Sequence, residues 1–194
     1  MNKEREIFKN TLIHKIKNKN NVVLFFDEAF FKRETSIIRS WYLKGSKPEV
    51  LREPSFQKIG VYSAVNPKTG KLFSIIDDYF DSEGVKVYLD LLLKSTKSKK
   101  KIVLVLDNAA PHKSKIIKEY IKEHDKRIEL LYLPPYSPDL QPAELIWREL
   151  RKERIHNRYF PSKQCLLDTI EEYLKLYSRK NNKFQNLCRF NYVV

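Results

Sequence analysis

Glycine is scarce in this chain, four in 194 residues, beside one methionine, two tryptophans and two cysteines. Scarce glycine alongside abundant Lys, Ile and Asn is also what an AT-rich genome produces, and it excludes nothing. Other absences say more. Cys165 and Cys188 lack the spacing of a metal-ligand pair, so they are expected as reduced thiols of a cytoplasmic protein. No stretch approaches the roughly 18 apolar residues of a membrane span. The N-terminus, MNKEREIFKN, is charged and holds no apolar signal-peptide core. Neither an internal repeat nor a convincing second domain is visible.

What is present is a core and a charge. A hydrophobic fraction of 42% over this length supports one globular domain. The formal net charge is +14 and the pI about 9.6, which favours a nucleic-acid partner over an acidic protein or a membrane.

Apolar periodicity orders the chain. Residues 3–18 form a short amphipathic helix, and the apolar run 22–26 a buried strand. A long irregular connection is expected from Phe30 to Pro54. Lys58–Val65 and Leu72–Ile76 flank a Pro- and Gly-containing turn and should make a hairpin. A helix over 83–94, opened by Asp81 or Ser82, leads through the basic run 94–101 to strand 102–106. A helix near 113–123, a strand at 128–133, a Pro-rich loop at 134–142, a helix near 143–156 and a last helix from 161 complete the chain. Crossover helices force their flanking strands parallel. The expected fold is therefore α/β: a mixed five-stranded sheet, three antiparallel strands then parallel ones, flanked by helices. Residues 1–20 read as a helix and linker, 21–160 as the main domain, and 161–194 as its C-terminal helical extension.

Three acids stand at informative points. Asp27 closes the run 22–26, Asp107 closes 102–106, and Glu144 opens the helix after the Pro-rich loop. Singly, each is equally a turn former or a first-turn acid facing the helix dipole. If strand 102–106 lies beside 22–26, however, Asp27 and Asp107 meet at neighbouring carboxyl ends, where open α/β sheets place their sites. Clustered carboxylates repel unless divalent cations neutralise them. Mg²⁺ prefers oxygen ligands, and two such ions about 3.5–4 Å apart suit phosphodiester chemistry.

Helical phase places Arg148 and Arg151 within about 40° of Glu144, two guanidinium groups suited to phosphates. A solvated, salt-bridged face is the alternative. His112 is either a helix-opening polar residue or a group near a substrate phosphate or metal. The lysine run 94–101 is either a solvated loop or a track for DNA backbone, and Trp41 either packs or stacks on bases. Glu28 and Asn108, beside the two Asp residues, would support them from behind. Asp77 and Asp78 also end a strand and are the most plausible decoys.

Four segments carry a resemblance: Leu24-Phe25-Phe26-Asp27-Glu28-Ala29, Arg39–Gly45, Leu104–His112 and Leu133–Glu144. Together they resemble the catalytic domain of DDE transposases, most closely the prokaryotic insertion-sequence branch of the mariner superfamily. The resemblance spans roughly 20–160. It implies an RNase H-like fold, two Mg²⁺ or Mn²⁺ ions, and Asp27, Asp107 and Glu144 as catalytic metal ligands. It also implies cut-and-paste transposition: DNA cleavage at element ends, then 3′-hydroxyl attack on target DNA, commonly at TA. Trp41 and Lys44, with His112, Arg148 and Arg151, are the expected DNA contacts. The expected setting is prokaryotic cytoplasm, at the nucleoid, with a homodimer on DNA.

Two departures stand out. Gln141 occupies a position where the family usually has Asn. Residues 1–20 are too few for the usual helix-turn-helix module, so the chain resembles a catalytic half: a split reading frame, a fragment, or a protein completed by a frameshift product or by a partner such as a separate helix-turn-helix polypeptide. The alternative is a catalytically silent DNA-binding remnant. A phosphoacceptor domain using Asp27 fits neither the basic charge nor the Pro-rich loop.

Overall fold

The computed structural model describes residues 2–96 and 99–189. Helix α1 (Asn2–Lys17) precedes β1 (Asn21–Lys32), β2 (Lys58–Val65), β3 (Leu72–Asp77), α2 (Ser82–Ser95), β4 (Lys101–Leu106), α3 (Lys115–Glu123) and β5 (Ile128–Tyr132). Helix α4 (Ala143–Leu150), α5 (Lys163–Leu176) and α6 (Asn182–Leu187) follow. The sheet has the order β3-β2-β1-β4-β5. Its β1–β2 and β2–β3 pairs are antiparallel and its β1–β4 and β4–β5 pairs parallel. This is the mixed five-stranded α/β sheet expected.

Strand alternation divides the core in two. Val23, Phe25, Ala29 and Phe31 of β1 join Phe8 and Leu12 of α1 and the buried faces of α4, α5 and α6. Leu24 and Phe26 face the other way, against Val85, Tyr88, Leu89 and Leu92 of α2 and Ile117 and Tyr120 of α3. Local chemistry supports each helix. Asp81 caps α2 by accepting from the Gly84 N–H, and Ser114 caps α3 by accepting from Ile117. Gly70 takes φ 69° in the β2–β3 turn, a backbone setting glycine adopts without Cβ strain.

Several boundaries differ from expectation, each with a physical reason. Strand β1 does not end at Asp27 but runs to Lys32, because β2 continues to pair it from Phe26↔Ala64 to Lys32↔Lys58 after β4 has stopped. The irregular connection thus begins only after Lys32. The expected helix near 113–123 is a 3-10 turn, Ala110–Lys113, followed by α3. The helix near 143–156 is α-helical only to Leu150 and continues as a π-helical turn, Arg151–Ile155. Helix α6 was not anticipated; Phe184 buries it in the first core. Of the basic run 94–101, residues 97 and 98 lie outside the described residues.

Candidate active site

Register brings the first two acids level. Phe25↔Val105 is the last pair of the parallel β1–β4 ladder, and Asp27 and Asp107 each stand two residues beyond it. Asp27 shares the face of Val23 and Phe25, so it points toward α4. Glu144 is in the first turn of that helix. Asp27, Asp107 and Glu144 line one cavity of about 350 Å³, together with Asn108, Gln141 and residues of the Pro-rich loop. Asp77 is the last residue of the edge strand β3 and Asp78 follows it, and Asp78 pairs with Lys163 at 2.7 Å.

The Pro-rich loop is tied down from three sides. Gln141 Nε2 donates to the Phe26 carbonyl at 2.7 Å, joining the loop to β1 beside Asp27. Asn108 Nδ2 donates to the Leu133 carbonyl, joining the ends of β4 and β5. Arg5 of α1 reaches Ser137 Oγ at 3.3 Å and pairs with Asp139.

The electrostatics of the acids diverge. Burial, then the neighbouring Glu28 charge, pushes Asp27 up to about 7; the Trp147 hydrogen bond pulls the other way, and the Glu144 charge adds to the rise. Asp107 is held below the usual carboxylate range, chiefly by its hydrogen bond with His112. His112 is buried, with Nε2 2.7 Å from Glu28 Oε1 and Nδ1 2.8 Å from Asp107 Oδ1. Burial opposes a charged ring here, but the two carboxylates outweigh it and raise His112 to about 10. His112 was expected among the DNA contacts. With 1% exposure it cannot meet a phosphate, and both ring nitrogens are already engaged.

Comparison with known proteins decides the family. Residues 22–167 match the model of the DDE superfamily endonucleases. The chain belongs to the DDE superfamily endonucleases. Over 157 residues it is 27% identical to the "Insertion element IS630 uncharacterized 39 kDa protein" of Shigella sonnei, covering 80% of this chain and 45% of that one. The chain thus spans about half the length of that curated relative. Its fold matches the Mos1 strand transfer complex with a TM-score of 0.68 at 15% identity, over 95% of this chain and 56% of that one. It also matches the mariner Mos1 paired end complex with Mg, with a TM-score of 0.67 at 14% identity, over 95% and 59%. The fold is RNase H-like.

In this endonuclease domain the cavity offers carboxylate oxygens, the donors that hard divalent cations prefer. Among the described residues no three or more His, Cys, Asp or Glu side chains are grouped closely enough to hold a metal ion by themselves. Mg²⁺ typically takes one or two protein carboxylates and completes its shell with waters and substrate phosphates. The open arrangement fits that habit and not a closed structural cage.

The remaining candidates separate. Glu144 and Arg148 are exposed on α4. Arg151, at the π-helical turn, lines a second cavity of about 450 Å³ with Lys32, Arg52 and His156. Its guanidinium lies 5.1 Å from the Phe31 ring centroid and donates to the Phe30 carbonyl at 3.4 Å. Burial lowers its pKa, while attraction to Asp27 opposes the shift. Trp41 is fully exposed and Lys44 exposed, both on the long connection, and neither lines the acid cavity. Trp147 was missed by sequence reasoning. Its Nε1–H donates to Asp27 Oδ2 at 2.9 Å. The signal was its place three residues after Glu144, one helical turn along the same side.

Proposed function

We propose that this chain is the catalytic domain of a transposase, performing metal-dependent DNA strand cleavage at element ends and 3′-hydroxyl strand transfer into target DNA. The observation that carries this reading is the register that sets Asp27 and Asp107 level, with Glu144 in the same cavity. Asp27, Asp107 and Glu144 would hold two Mg²⁺ or Mn²⁺ ions. Such ions supply an activated water or 3′-hydroxyl and neutralise the leaving oxygen.

The chain's own residues do the rest. Trp147 and Gln141 hold Asp27 and the loop before Glu144 in register with each other. Arg151 offers its guanidinium to a phosphate of the strand beside Asp27, and Lys32 adds a charge on the same cavity. Trp41, Lys44 and Arg148, all exposed, contact DNA farther out. The net charge of +14 supports binding to a polyanion. Two such domains on paired ends, with a helix-turn-helix polypeptide recognising the terminal repeats, complete the reading, in the prokaryotic cytoplasm.

The test is cleavage and joining of labelled element-end DNA with Mg²⁺ or Mn²⁺. Asp27→Ala, Asp107→Ala and Glu144→Ala should each abolish both while circular dichroism shows an intact fold. Retained activity in any one removes that residue from the site. Salt-dependent DNA binding by the unaltered chain, with neither nicking nor joining, would make it a silent DNA-binding remnant.

A further inference from the structure

Glu28 and His112 form a connected set of side chains with Asp107, and of the three the cleavage reading uses Asp107 alone. Glu28 follows Asp27 on β1, so alternation sends it to the opposite face of the sheet. There its Oε1 lies 2.7 Å from His112 Nε2. The other ring nitrogen, Nδ1, lies 2.8 Å from Asp107 Oδ1, and its distance to the Asp107 carbonyl is 3.4 Å. The Ala109 N–H donates to the same Oδ1 at 2.9 Å. The contacts of the Asp107 carboxylate with His112 and Ala109 both fall on Oδ1.

The arrangement is asymmetric in a useful way. Asp107 stands just past the end of a strand with its side chain 55% exposed, whereas His112 is 1% exposed. An exposed strand-end carboxylate has rotamer freedom to lose when it binds anything. Here one of its oxygens meets the Ala109 N–H and the buried imidazole of His112, and the other is left to the cavity that Asp107 lines. The Phe26 ring, 5.6 Å away edge-on, and the Tyr132 hydroxyl, donating to the His112 carbonyl at 2.9 Å, hold the imidazole and its backbone in turn.

We propose that Glu28 and His112 are positioning residues for Asp107: Glu28 orients the imidazole, and its Nδ1–H holds Oδ1 so that Oδ2 is presented to a divalent cation. This rests on the cleavage reading in taking Asp107 as a cation ligand. Carboxylate–histidine supports of this kind typically change metal affinity 10–100-fold when removed.

Two substitutions at one position separate positioning from mere space-filling. The His112→Asn amide can place a donor near the Nδ1 position, and the His112→Gln amide near the Nε2 position. Mn²⁺ binding to the full chain without DNA is read from the loss of the free Mn²⁺ resonance, with thermal melting as the folding control. His112→Asn and Glu28→Gln should bind Mn²⁺ nearly as the unaltered chain does. His112→Gln and Glu28→Ala should bind about 10–100-fold more weakly. Equal behaviour of the two His112 variants, both weak or both unaffected, overturns the proposal. If either fails to fold, the Glu28 pair makes the same comparison, and equal binding by Glu28→Gln and Glu28→Ala overturns it. Asp107→Asn keeps the readings apart. If it loses Mn²⁺ while the His112 variants are equal, positioning fails and the cleavage site stands. If it binds Mn²⁺ unchanged, both fall.

Discussion

The indole Nε1–H of Trp147 donates to Asp27 Oδ2 at 2.9 Å. Helix α4 therefore both carries Glu144 and clamps the acid on the neighbouring strand. Trp147→Phe keeps the ring that packs edge-on to Phe31 at 5.9 Å but removes the donor. A hydrogen bond to a charged group contributes about 1.5–3 kcal/mol, so the variant should lose that much unfolding free energy in urea at pH 8. Because the lost donor favoured the carboxylate, Asp27 should hold its proton more tightly. The pH midpoint of metal-dependent cleavage should move upward. An unmoved midpoint would mean that the bond does not tune Asp27.

Stability should depend on pH through Asp27, whose ordinary value of 3.8 is raised to about 7 in the fold. The folded chain binds that proton more tightly than the unfolded chain does. The resulting stabilisation is complete below about pH 4 and is lost as pH rises through 7. Asp27→Asn has no proton to lose. Without metal, its stability relative to the unaltered chain should rise from pH 4 to pH 8, by about 4 kcal/mol at most. Calorimetry across that range tests it; a constant difference would show that Asp27 titrates normally.

Mn²⁺ should stabilise the unaltered chain and not Asp27→Asn, since binding only the folded state raises its melting temperature. Ligation needs the carboxylate, so apparent affinity should fall as pH drops below about 7. A thermal-shift titration at pH 6 and pH 8 measures this directly. Equal shifts at both pH values would place the ion elsewhere.

Gln141 reaches the Phe26 carbonyl from the Pro-rich loop, while its own Oε1 is buried without a partner among the described residues. Gln141→Leu orphans that carbonyl and should cost about 1–3 kcal/mol. Gln141→Asn, one methylene shorter, should recover part of the loss if the loop can close in. Denaturant midpoints for the pair decide whether the bond or the side-chain volume matters.

Arg151 pairs with no carboxylate among the described residues and faces a cavity that Lys32 and Arg52 also line. Arg151→Gln should weaken binding to any duplex and lower the slope of log affinity against log salt by about one. An unchanged slope would assign Arg151 to packing on Phe31 alone.

Much of this was legible in the chain. The runs 22–26 and 102–106 announced buried strands, because continuous β-branched and aromatic residues suit a strand buried on both faces. The hairpin around Gly70 was equally plain, since a turn residue with positive φ favours glycine. The end of β1 was not. Nothing local marks Lys32 as strand; β2 imposes it by offering a partner where β4 has stopped. Nor was the fate of Arg151, which periodicity placed beside Glu144 on a continuous helix. The π-helical turn at Arg151–Ile155 departs from that continuous α-helical phase, and its guanidinium is found against Phe31.

By itself the sequence determined which acids follow two buried apolar runs and open one helix, because alternation and helical phase are local properties. It determined, too, that the surface would be strongly positive. Tertiary structure decided the partners. A parallel register set Asp27 level with Asp107, a helix from more than a hundred residues later supplied Trp147 to Asp27, and a buried histidine joined Asp107 to the glutamate behind it. Those relations depend on distances between segments remote in the chain, which no local pattern encodes.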